Sequence, residues 1–417
     1  MPAAAAGQLH GMGILDSRTR SIVGLDIEPG FLAAAEFSGN GKPELVRAAT
    51  ESLGPGLFHE GEVVDVDGLA DRVKAFFKEH DLPKRIRLGV ASQKIALRVL
   101  ELPAIDNDQE LEAAIRFQAQ EELPMPLEQA VLDYHVLERV DNGEGGRMRV
   151  VVVGARRDTV EHLLAVARKA GLQPELVDLS AFAMIRALYV PPGPSPQELA
   201  SADFAGGVTE PVGVDGMPLD GMPVDGQTPV EGQPGVEPAQ AYAEPEGATL
   251  YCYFGGLTNL AIGVGQNCVF NRVLQNGVES MAATLAERRG LTLDHSREWL
   301  RYVGMQRDID ALEGEREIVA EAREVLTAGA RRIADEIRLS IEYYHTTVPD
   351  ARRVETTVMA GPGIAIEGLP SFFEAELGMP VQPRSMGQVE VQPGALDGVE
   401  AAELTIATGL ALDEVPA

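Results

Sequence analysis

Cysteine is scarce in this chain: Cys252 and Cys268 are the only two among 417 residues. Two thiols cannot make a disulfide framework, and they lack the clustered spacing of a zinc site. A reducing compartment fits, with both thiols as small buried apolar groups. Basic residues are also short, 35 Lys and Arg against 64 Asp and Glu, for a formal charge of -29. Such a surface repels phosphate backbones and anionic headgroups, which argues against nucleic acid or a membrane surface as the main partner. Apolar runs such as Val150 to Gly154 fall far short of the ~20 residues of a membrane span. Met1 to Ser21 lacks the basic start and apolar stretch of a secretory signal. No P-loop, Gly-x-Ser-x-Gly or His-Glu-x-x-His pattern occurs, and the seven histidines are scattered without metal-ligand spacing.

What is present suffices for two or three domains, since 45% of the residues are hydrophobic. Residues 191–248 stand apart, with 11 of the 27 prolines, 10 of the 44 glycines, ten Asp or Glu and no Lys or Arg. Within them, Val214 to Pro223 repeats an Asp-Gly-Met-Pro unit. Pro and Gly at this density block helix and ladder alike, so a disordered acidic insertion is expected. On either side the same order recurs. Strands at Ser21 to Ile27, Phe31 to Phe37 and Glu44 to Thr50 form a meander, as do Leu250 to Phe254, Leu260 to Val264 and Val269 to Leu274. Helices and further strands follow each meander. Asp67 reads as the N-cap of a helix over Gly68 to His80, and a long helix from Glu315 to about His345 carries an apolar face. The pattern predicts an internal duplication.

Several segments then carry a specific resemblance. They include Ile22-Val-Gly-Leu-Asp-Ile27, Glu110-Leu-Glu-Ala-Ala-Ile-Arg-Phe117, Glu122-Leu-Pro-Met-Pro-Leu127 leading into Val131-Leu-Asp-Tyr134, Thr258-Asn-Leu260 and Gly361-x-Gly363. In these the chain resembles the type IV pilus assembly protein PilM family, within the actin-like (FtsA-type) superfamily, over roughly residues 20–190 and 249–413. The resemblance implies an α/β, actin-like (ribonuclease H-like) duplicated fold with an inserted small α+β subdomain. On that basis 1–20 is a flexible leader, and 20–93 is the first actin-like subdomain, completed by 171–190. Residues 94–170 are the inserted subdomain and 191–248 the disordered insertion. The second actin-like subdomain is 249–275, completed by 354–417, with 276–353 as its helical subdomain.

The resemblance also implies a nucleotide cleft, with ATP and Mg²⁺ as its cofactors and Asp26, Gly30, Thr258, Asn259, Gly361 and Gly363 as the residues retained for it. Other positions depart from the family pattern. Glu28 replaces a glycine where a triphosphate would sit, Pro29 removes a donor, and Ala33 deletes a counter-charge. Cys252 replaces an aspartate and Phe254 a glycine, although Gly255-Gly256 can form a shifted cradle. A degenerate site without turnover is expected, with no catalytic residue and no metal ligand. The implied function is that of a cytoplasmic scaffold. It docks the N-terminal tail of the inner-membrane protein PilN between the first and inserted subdomains, with Met125 and Leu127 as candidate contacts, and links the alignment complex to the motor. Two alternatives are an active actin-like ATPase, which needs the altered phosphate turn, and an FtsA-like division protein, which needs a basic amphipathic tail that Leu410 to Ala417 lacks.

Overall fold

Alternating apolar and small residues build the first sheet. The computed structural model describes residues 21–38, 42–140, 146–191, 247–387 and 389–412; the expected leader and residues 192–246 of the expected insertion lie outside these. Strands β1 (Ile22–Glu28), β2 (Phe31–Phe37) and β3 (Glu44–Ser52) pair antiparallel, with Glu28 opposite Phe31 so that Pro29 and Gly30 form the two-residue turn. Gly30 has φ +96°, a backbone state that costs glycine little. A short hairpin, β4 (Phe58–His59) and β5 (Glu62–Val63), leads into α1 (Val66–Glu79). The cap of α1 is Asp65, not the expected Asp67: its Oδ1 accepts the N–H groups of Asp67 and Gly68, each at 3.0 Å. Asp67 lies in the first turn, where its charge suits the helix dipole.

Strand β6 (Arg85–Val90) joins β1 in parallel, and β7 (Ile95–Pro103) starts a separate three-stranded sheet. There α2 (Asp108–Glu122) is followed by β8 (Ala130–Val140) and β9 (Arg147–Arg156), with β9 central and both pairings antiparallel. Leu111, Ile115 and Ala119 of α2 cover Ala96, Leu100, Val150 and Val152 on one face. Val151 and Val153 therefore point the other way, as the two-residue strand period demands. Then α3 (Arg157–Lys169), β10 (Gln173–Leu179) and α4 (Ser180–Leu188) return to the first sheet, where β10 pairs in parallel with β6.

The second half repeats the scheme. Strands β11 (Ala248–Phe254), β12 (Thr258–Val264) and β13 (Asn267–Leu274) pair antiparallel. Helices α5 (Val278–Arg289), α6 (Leu293–Val303) and α7 (Arg316–Thr347) follow. Strand β14 (Val354–Ala360), helix α8 (Leu369–Leu377) and β15 (Val381–Pro383) complete it, both strands in parallel. The orders β3-β2-β1-β6-β10 and β13-β12-β11-β14-β15 are the same, so the duplication exists in three dimensions.

The segment expected to complete the second half divides. Strand β16 (Glu390–Val391) pairs with β3, and α9 (Thr405–Ala411) packs on β1, β2 and α4. Small residues permit this return: a Cβ on Gly24 of β1 would lie 1.8 Å from the Ala407 carbonyl, and one on Gly409 would lie 1.8 Å from the Ala183 carbonyl. Tyr251, Tyr253 and Ala261 of the second sheet share one core with Met184, Ile185, Ile406 and Leu410 of α4 and α9, so these two helices run between the halves.

Candidate functional site

Two turns meet where the halves face each other. One joins β1 to β2 through Pro29 and Gly30; the other joins β11 to β12 through Gly255, Gly256 and Leu257. The second is braced by its own backbone, Gly255 N–H donating to the Leu257 carbonyl at 2.9 Å and Val278 N–H to the Gly255 carbonyl at 2.8 Å. A Cβ on Gly256 would lie 2.1 Å from the Pro29 carbonyl, so the turns touch through backbone. Glu28 crosses the junction. Its Oε2 accepts the Gly256 N–H at 2.7 Å, and the Leu257 N–H also bonds to it.

Glu28 and Asp26 lie two residues apart on one strand, so they share a face; their exposures are 2% and 3%. Burial pushes Asp26 up to about 7 against the pull of the Ile27 backbone hydrogen bond. Burial likewise holds Glu28 well above the usual carboxylate range, helped by the Asp26 charge and opposed by the N–H groups of Gly256 and Leu257. The Tyr253 hydroxyl is raised by burial and by the charges of Glu28, Asp26 and Glu403. Among the described residues, Asp26 Oδ2, Ser180 Oγ and the Tyr253 hydroxyl have no hydrogen-bond partner. Cys252 and Cys268 are buried as expected, and burial pushes both thiols up to about 12, which leaves them unreactive.

The remaining expected residues separate into two groups. Gly30 lines a cleft of about 520 Å³ that also reaches Glu279, Arg297, Arg301, Pro362 and Glu403, and Gly361 stands just behind its wall as the residue before Pro362. Gly361 (φ +87°) abuts the Phe254 backbone, and a Cβ on Gly363 would strike the Phe254 ring. Phe254 is fully buried against Phe373, with ring centroids 5.8 Å apart, so it fills space that a smaller residue would leave open. Thr258 and Asn259 are engaged within their own half: Thr258 Oγ1 donates to the Asn276 carbonyl at 2.6 Å, and Asn259 Oδ1 accepts from Asn271 Nδ2 at 3.1 Å. Sequence reasoning missed the cleft's charged wall. Arg297 binds both Glu279 oxygens, at 2.8 and 2.7 Å, and Asp294 at 2.5 Å; Arg301 binds Glu400 at 2.7 Å. The Asp294 and Arg297 spacing of i,i+3 on a helix was the available signal. These guanidiniums are already paired with carboxylates, and the cradle's N–H groups already donate to Glu28. The residues present therefore do not fit a triphosphate with Mg²⁺.

A second concavity lies between the inserted sheet and the first half. About 180 Å³ in volume, it is lined by Ile95, Tyr134, Val153, Val177, Leu179 and Phe182 among others, and its wall is mainly apolar. Met125 and Leu127 do not line it. They pack toward the α2 face of the inserted sheet and border a separate depression of about 380 Å³ with Gln120 and Leu123. The apolar loop motif that suggested them belongs to the opposite face of that sheet. Among the described residues, no helix is long and apolar enough to cross a membrane, and no cluster of metal-ligating side chains occurs.

Comparison with known proteins gives the fold. The structure of a PilM–PilN type IV pilus biogenesis complex matches at 24% identity, covering 94% of this chain and 97% of that chain, with a TM-score of 0.66. The ethanolamine utilization protein EutJ from Carboxydothermus hydrogenoformans matches at 14% identity, 94% and 89% coverage and a TM-score of 0.47. MreB5 of Spiroplasma citri bound to ADP matches at 12% identity, 94% and 95% coverage and a TM-score of 0.43. Together with the duplicated strand order, the first of these gives an actin-like α/β fold. Residues 24–203 match the model of the family described as type IV pilus assembly protein PilM.

Proposed function

We propose that this chain is a cytoplasmic binding scaffold of type IV pilus assembly. It takes the N-terminal segment of a PilN-type membrane protein in the groove beside Phe182 and does not turn over nucleotide. The observation that carries this reading is the apolar groove between Val153 of the inserted sheet and Leu179 and Phe182 of the first half. A groove of this kind suits a short peptide that buries two or three apolar side chains, with Asp133, His135 and Asp178 at hand as polar guides. The PilM–PilN complex supports the choice of partner.

Titration calorimetry of the full chain with a synthetic PilN N-terminal peptide tests it. Phe182→Asp puts a charge into the groove and lowers affinity by at least 100-fold, while Met125→Asp, on the far face of the inserted sheet, leaves it within about threefold. Equal affinity in folded Phe182→Asp protein rejects the groove. Phosphate release from Mg·ATP by the unmodified chain above the rate without protein rejects the non-hydrolytic part.

A further inference from the structure

We propose that Glu28 is the resident occupant of an anion cradle. It comes from the first half, fills the N–H groups of the second half's turn, and so holds the two halves together at the head of the cleft without a polyphosphate. The proposal deepens the non-hydrolytic reading above and rests on it.

Successive backbone N–H groups of a tight turn form a concavity that binds anions. Here the N–H groups of Gly256 and Leu257 converge on the Glu28 carboxylate. The cradle is formed by the turn's own hydrogen bonds, through Leu257 and Val278, rather than by its occupant. Its depth suits one carboxylate, since a Cβ on Gly255 would lie 2.4 Å from Glu28 Oε2, an approach that glycine alone allows. The carboxylate is carried by the last residue of β1, inside a sheet that includes β10 and β16 on its two edges, so its position is fixed by the first half as a whole. Contact of the Pro29 carbonyl with Gly256 adds a second fixed point beside it. A phosphate group and the Glu28 carboxylate need the same donors and cannot both be seated. A tethered ligand competes at an effective concentration in the mM range or above, so free phosphate in solution is displaced.

The test uses the full chain and three variants. Glu28→Ala removes the occupant, Glu28→Asp keeps the charge but withdraws it by one methylene, and Glu28→Gln keeps an oxygen acceptor at full reach. Amide hydrogen exchange at Gly256 and Leu257 is expected to rise at least tenfold in the alanine and aspartate variants and to stay within threefold in the glutamine variant. Calorimetry with inorganic pyrophosphate is expected to give heat only where the cradle is vacated, in Glu28→Ala. Unchanged amide protection in folded Glu28→Ala and Glu28→Asp overturns the proposal, as does pyrophosphate binding to the unmodified chain at the affinity of Glu28→Ala. Mg·ATP hydrolysis by the unmodified chain while Gly256 and Leu257 stay protected would instead reject the non-hydrolytic reading and leave the resident carboxylate in place.

Discussion

The turn after β1 and the turn after β11 hold equivalent places in two sheets of the same strand order, yet they have become chemically complementary. One ends in a carboxylate, Glu28; the other offers the N–H groups of Gly256 and Leu257. In a duplicated fold such positions start alike, and a ligand between them keeps them alike because both must bind it. When one turn supplies what the other lacks, the pair no longer needs a third party. Among the described residues the groove beside Phe182 has no such internal partner.

Breaking the tightly packed side of this comparison has the largest expected effect. Phe254→Ala leaves a void beside Phe373, Gly361 and Gly363 and lowers unfolding free energy by about 4 kcal/mol, read from the urea midpoint. An asymmetry between the turns comes next. Gly256→Ala drives a methyl group into the Pro29 carbonyl and costs about 3 kcal/mol. Gly30→Ala meets the flexible end of Glu279 and costs about 1 kcal/mol through its positive φ. Equal melting temperatures for these two variants contradict the view that backbone contact seals the junction.

Acidity sharpens the contrast further. The ionisable groups that act on one another at the junction are Asp26 and Glu28 from β1, Tyr253 from β11 and Glu403 from the segment before α9, with Arg301 beside Glu403. Asp26 rises from 3.8 unfolded to about 7 folded, so the folded chain holds a proton that the unfolded chain has released. Its stabilising contribution is complete below pH 3.8 and is lost as pH rises toward 7, at no more than about 1.4 kcal/mol per pH unit. Asp26→Asn is expected to flatten that slope in denaturant titrations at several pH values. An unchanged slope would place the proton elsewhere. The smallest effect belongs to the cleft rim, where Arg301→Gln removes a half-exposed ion pair with Glu400 and changes stability by less than about 1 kcal/mol.

Features fixed by neighbouring residues were legible in the sequence. Tight turns at Pro29-Gly30 and Gly255-Gly256, with alternating apolar strands around them, revealed both meanders and their duplication. The departures at Glu28, Pro29, Cys252 and Phe254 were visible too, but only as losses. That Glu28 reaches Gly256, 228 positions along the chain, follows from the packing of one sheet against another, and no local pattern encodes it. The placement of Met125 and Leu127 was hidden for a related reason: an apolar loop identifies itself, whereas the side of the inserted sheet it covers depends on how α2 docks. The destination of α9 was equally hidden, because Thr405 to Ala411 is built of small and apolar residues buried on every side, with no polar face to orient it.

The return of α9 has a consequence for synthesis. Ala33, Ala35 and Leu45 of the first sheet share their core with Leu404, Ala407 and Ala411. A nascent chain thus holds that face uncovered until residue 411 has left the ribosome, with the entire second half made in the meantime. The half that begins first is the one that finishes last, and a chain interrupted anywhere before residue 405 presents a greasy sheet surface to whatever chaperone waits at the exit tunnel.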